Sequence, residues 1–178
     1  HSIQFGAGLF APRSCDTRLD CRSSRGSDDV LVENLESLAF DIKDFKGATV
    51  FGEWNITFNE KVEVGFGAGF YQRTAPSVYR DFVDIDFTEI EQDLRLRMIP
   101  LSAVVRFLPI GKAGDVQPYL GGGVAPVNWK YSETGEFIDY NNNSNIFEDR
   151  YEASGTAIAP VVLGGIRFAI NGDVYALN

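Results

Sequence analysis

The sequence predicts an all-β chain folded as an antiparallel, up-and-down transmembrane β-barrel, and three observations predict it. First, residues 62–71 read VEVGFGAGFY. Period two puts Val62, Val64, Phe66, Ala68 and Phe70 on one face, and Glu63, Gly65, Gly67, Gly69 and Tyr71 on the other. One face asks for an apolar medium, the other for a narrow, polar, crowded one. A ten-residue strand rises about 33 Å, and at a tilt of about 45° it spans roughly 23 Å, close to the apolar band of a membrane barrel. Second, no apolar run approaches the length of a membrane-crossing helix, which leaves strands as the means of crossing. Third, the connections between alternating stretches run long, short, long, short, long, short, as outward loops and tight turns do in such barrels.

The elements follow in order, within one domain spanning 1–178. Residues 2–10 set Ile3, Phe5, Ala7 and Leu9 against Gln4, Gly6, Gly8 and Phe10. A polar connection, 11–48, contains Leu31, Leu35 and Leu38 at helical spacing, enough for one or two turns. Residues 49–58 and 62–71 form a hairpin across Asn59, Glu60 and Lys61. After a second connection, 72–93, the strand 94–108 carries Leu94, Leu96 and Met98, then Leu101, Ala103, Val105 and Phe107. This shift in apolar phase predicts a β-bulge at Ile99-Pro100. The strand 116–131 predicts a second slip near Pro126, with Val127, Trp129 and Tyr131 on the apolar face. A third connection, 132–155, precedes strand 156–170, which turns Ile158, Val162 and Ile166 outward. Asn171-Gly172 is a hairpin signal leading into a seventh strand, 174–178.

Charge excludes some functions. The net charge of −9 argues against a nucleic-acid partner. The acids concentrate in the three long connections, and Asp84, Asp86, Glu89, Glu91 and Asp93 offer oxygen ligands of the kind calcium prefers, though without the spacing of a calcium-binding loop. A solvated acidic face explains them more simply. Cys15 and Cys21 are the two cysteines, and in an exported chain such a close pair predicts a disulfide. A metal site there would need further ligands, and His1 is the sole histidine. That same scarcity leaves no internal Ser-His-acid arrangement, so no enzymatic activity and no cofactor are expected.

On the non-lipid face the pattern places Glu53, Glu63, Arg95, Arg97, Arg106 and Arg167. These could line a pore, but a small barrel is filled by side chains, so the expected role is a paired lumen network with glycines making room for the arginines. Trp54, Phe70, Trp129 and Tyr131 are expected as an aromatic girdle at the membrane boundary.

The segments Phe5-Gly6-Ala7-Gly8, Gly65-Phe66-Gly67-Ala68-Gly69 and Gln117-Pro118-Tyr119-Leu120-Gly121-Gly122-Gly123 resemble strands of the small bacterial outer-membrane β-barrel family, the OmpA-type and OmpW-type eight-stranded barrels. The resemblance covers nearly the whole chain. It implies a Gram-negative outer-membrane location and contact with membrane lipid and lipopolysaccharide. The implied role is structural, or one of docking another envelope protein through the acidic loops. A narrow, porin-like channel or a carrier for small hydrophobic molecules is the alternative it allows. A soluble lipocalin-like barrel with the faces reversed is a third reading, disfavoured because a water-facing glycine stripe weakens strands and relieves no crowding. The family's eighth strand and terminal aromatic residue are not among these residues. The expectation is an eighth strand of the full-length protein, rather than a second chain, lying between strand seven and strand one.

Overall fold

The computed structural model describes residues 1–12, 31, 34–35, 37–84, 86–111, 115–139, 145–170 and 173–177, the backbone alone for 169–170 and 173–177. Seven strands, β1 (Ser2–Phe10), β2 (Gly47–Asn59), β3 (Val62–Val83), β4 (Glu89–Phe107), β5 (Val116–Asp139), β6 (Asn145–Ile170) and β7 (Asp173–Leu177), form one sheet. Spatial order equals chain order, and each strand is antiparallel to the next. β1 and β7 are the edges of the described sheet.

Local chemistry sets the turns. The Asn59 side chain accepts a hydrogen bond from the Lys61 backbone N–H at 2.8 Å, closing the β2–β3 turn. Beside it, Leu108 N–H donates to the Lys61 carbonyl at 2.7 Å, and Gly111, at φ 77°, supplies the left-handed residue that lets the chain leave β4. At the opposite end, Asp86 accepts from the Thr88 backbone and hydroxyl, and Phe87 adopts φ 64° between them.

The strands are longer than the sequence pattern indicates. Most of 72–93 and 132–155, expected as loops, is sheet: β3 and β4 pair in one register as far as Val78↔Glu91 and, after a register shift, at Val83↔Glu89, and β5 and β6 as far as Asp139↔Asn145. These extensions carry β-formers such as Val78, Tyr79, Phe137, Ile138, Ile146 and Phe147, and cross-strand pairs such as Phe137↔Phe147 hold them. Polar residues on their exposed side mask that preference in the sequence.

Neither expected slip exists. The β3–β4 register is the same on both sides of Pro100, at Tyr71↔Met98 and Ala68↔Leu101, and the β5–β6 register runs unbroken past Pro126. Pro100 needs no bulge, because it stands on the inner face opposite Gly69, whose absent side chain leaves it space. The apolar phase changes for another reason. Near the tight turns the inner face is polar and the outer face apolar; further along, the inner face itself becomes apolar while the outer face becomes charged. Leu94 and Leu96 are therefore buried inside, on the same face as Arg106.

What covers that part of the inner face is the chain between β1 and β2. Leu35 N–H bonds the Leu31 carbonyl and Leu38 N–H that of Asn34, the helical spacing expected of these leucines. A short 3-10 turn, Ile42–Phe45, follows. Leu35, Leu38, Phe40, Ile42 and Phe45 pack against Tyr71, Ala75, Leu94, Leu96 and Tyr131 as a single apolar cluster. Leu38 also bridges Tyr79, with Ala39 N–H to the Val78 carbonyl and Arg80 N–H to that of Ser37. β2 pairs with β3 only as far as Tyr71, so this segment occupies the β3 edge that β2 leaves open.

Candidate functional site

Toward the tight turns the inner face carries charge. Arg106 on β4 donates from Nη1 to Asn55 Oδ1 at 2.6 Å and from Nη2 to Glu53 Oε2 at 2.7 Å. Arg167 on β6 donates from Nη1 to Glu63 Oε2 at 2.7 Å. β6 and β3 are three strands apart, about 14 Å across a flat sheet. A direct side-chain bond between them requires the sheet to curl around the cluster. The Tyr119 ring lies between the two guanidinium groups, 5.7 Å from Arg106 and 4.9 Å from Arg167.

All four charged groups are buried, and the two cations match the two carboxylates. Space for them comes from glycine: a Cβ at Gly65 would stand 2.8 Å from Arg106 Nη1 and from Asn55 Oδ1. Among the described residues Arg106 Nε, Arg167 Nε and Nη2, and Asn55 Nδ2 have no hydrogen-bond partner, and neither does the acceptor Glu53 Oε1, which meets Arg106 only as an ion pair.

Of the six residues expected in this network, Glu53, Glu63, Arg106 and Arg167 come together. Arg95 and Arg97 do not. Both are exposed on the outer face, because β4 holds one phase throughout and odd-numbered positions point out. The girdle divides likewise. Trp54 and Phe70 lie on the outer face, 46% and 45% exposed, whereas Trp129 and Tyr131 lie on the inner face against the apolar cluster. With no slip at Pro126, Trp129 and Tyr131 share the inner face with Gln117 and Tyr119.

Asn55, Gln117 and Tyr119, all buried in or beside the charge cluster, were not anticipated, although alternation from Glu53 already put Asn55 on that face. A second polar group was less accessible to sequence reasoning. Asn34 donates to the Tyr131 hydroxyl at 3.0 Å and to the Glu133 carboxylate, joining residues almost 100 apart in the chain. Glu133 has a pKa raised by burial, partly opposed by the hydrogen bonds from Asn34 and Tyr131.

Asp84, Asp86 and Glu89 sit at the exposed β3–β4 turn, where Asp86 caps Thr88; among the described residues no three metal-ligating side chains gather. Cys15 and Cys21 lie outside the described residues.

The outer face completes the geometry. Its exposed positions near the tight turns are uncharged on every strand from β1 to β6: Ile3 and Phe5, Val50 and Trp54, Phe66 and Phe70, Leu101 and Val105, Leu120 and Val124, Ile158 and Val162. One register row beyond Phe70, Ile99 and Asn128 this changes, to Gln72, Arg97 and Lys130, and then to Arg95, Glu152 and Arg150. Comparison of the chain with protein-family models, curated proteins and solved structures gives no match in any of the three.

Proposed function

We propose that this chain is a non-enzymatic bacterial outer-membrane β-barrel whose extended hairpins, outside the membrane, serve a structural or protein-docking role. The observation that carries the reading is the uncharged belt of exposed Phe, Val, Leu, Ile and Trp, which ends on β4 and β5 at Arg97 and Lys130. Contiguous apolar surface on that scale is rare on a water-soluble monomer and is the outward pattern of a membrane barrel. The lipocalin-like alternative needs the opposite arrangement, with apolar side chains inward and charge outward. Here Glu53, Glu63, Arg106 and Arg167 are buried while Phe5 and Val162 are 85% and 90% exposed.

The interior favours a filled barrel over a channel, since the turn end holds paired charges and the other end a plug of apolar side chains. The reading includes an eighth strand of the same polypeptide between the edges β1 and β7. Unpaired backbone costs several kcal/mol per group in lipid, a cost that such a strand would relieve at both edges. Refolding tests the proposal: the protein should acquire β-structure and stay monomeric in detergent micelles or lipid vesicles and aggregate without them. A detergent-free monomer in aqueous buffer would sink it.

A further inference from the structure

We propose that the cleft between Arg97 and Lys130 binds the phosphate of an anionic membrane lipid. The inference rests on the membrane reading above and names one lipid site within it.

Arg97 and Lys130 are register partners on adjacent strands, β4 and β5, and share the outer face. They stand in the first row beyond the uncharged belt, directly past Ile99 and Asn128. A cleft of about 350 Å³ opens there, lined by both cations together with Ile99, Asn128, Ser154 and Thr156. Thr156 donates its hydroxyl proton to Asn128 Oδ1 at 2.8 Å, which leaves the Asn128 amide nitrogen as a donor. The Arg97 side chain makes no hydrogen bond or ion pair among the described residues, so its guanidinium is available for two-pronged binding of a phosphate.

The surrounding charge is mixed but cationic on balance. Arg95 and Arg150 lie one and two rows further out; Glu152 pairs with Lys130 at 2.7 Å and also with Arg150, and Asp93 is exposed beside Arg95. In a chain of net charge −9, this puts a basic patch at one of the two levels where lipid phosphates would sit. Position selects a lipid over a free anion. Below the cleft Ile99, Leu101 and Ile158 continue the apolar surface, so acyl chains descending from a headgroup at Arg97 meet hydrocarbon.

The test compares phosphatidic acid with diacylglycerol of the same acyl chains, which differ by the phosphate alone. Native mass spectrometry of the full-length protein released from micelles reads retained lipid, after circular dichroism has established the fold. Phosphatidic acid should be retained and diacylglycerol not. Arg97→Ala/Lys130→Ala should weaken retention about 25-fold, from about fivefold per basic side chain near a membrane surface. Lys43→Ala/Lys46→Ala, removing the same charge from the connection before β2, should leave it unchanged. Equal retention by parent and cleft variant overturns the site, as does displacement of the lipid by millimolar inorganic phosphate, which marks a free-anion site. Should the alanine variant misfold, Arg97→Gln/Lys130→Gln takes its place under the same criterion. Failure to fold in micelles at all counts against the membrane reading instead.

Discussion

Arg167 and Glu63 form an ion pair with 3% and 0% of their side chains exposed, so each supplies the other's buried counter-charge. Replacing Arg167 by Leu removes the buried counter-charge of Glu63 and should cost about 3 to 5 kcal/mol, while Glu63→Leu in the same protein should recover much of it. Denaturant unfolding of the four proteins in a double-mutant cycle measures the coupling; additive losses would show that the pair is not formed. Gly65 answers to the same cluster. Ala there puts a methyl against Arg106, Asn55 and Glu53 and should cost about 1 to 3 kcal/mol. Glu133 differs because its neighbours are neutral donors and its pKa is raised by burial. The folded protein then holds the proton more tightly than the unfolded chain. This contribution is fully present below the ordinary glutamate value of 4.5 and is lost as pH rises through the higher folded value. Glu133→Gln should remove this decline, so the stability difference between variant and parent should grow as pH rises from 4.5 to the higher folded value and level off beyond it. Thermal unfolding across that range checks it, and a constant difference would contradict it.

The segment between β1 and β2 shows how an element acquires structure from what it covers. Its apolar side chains have no strand of their own to pair in, and they fold onto the inner face where β3, β4 and β5 pass beyond the belt. Phe45 is fully buried, Leu38 is 3% exposed, and the Tyr71 hydroxyl donates to the Phe45 carbonyl. Phe45→Ala should cost about 3 to 5 kcal/mol and Leu38→Ala about 2 to 5 kcal/mol. Because the segment fills the interior at that end only, protease cleavage within 31–46 should become faster in Phe45→Ala while the paired strands stay protected. Uniform loss of protection would mean that the segment and the sheet unfold as one unit.

At the scale of the whole molecule the exposed face divides into an uncharged belt and a charged rim, and the same substitution should have different effects in each. Val105→Arg, in the belt, should destabilise the protein in lipid by about 2 to 4 kcal/mol, whereas Thr74→Arg, at the level of Arg95, should change stability by less than about 1 kcal/mol. Unfolding from lipid vesicles distinguishes them. Equal small effects at both positions would mean that the belt faces water.

Period-two alternation by itself determined the antiparallel strands, their chain-order topology and the sides taken by Glu53, Glu63, Arg106 and Arg167, because a side chain's face in a strand depends only on its parity within an unbroken register. It misled at Ile99-Pro100 and at Pro126, where a change in which face is apolar looks the same in one dimension as a change of register. Only the tertiary structure decides between these. The apolar character of Leu94, Leu96, Trp129 and Tyr131 is explained by Leu35, Phe40 and Phe45, which lie 50 to 100 residues away and meet them only once the sheet has curled. The exposed Arg95 and Arg97 follow from the same cause. With the inner face filled by that segment, charge on these strands goes outward, at the level where the uncharged belt ends.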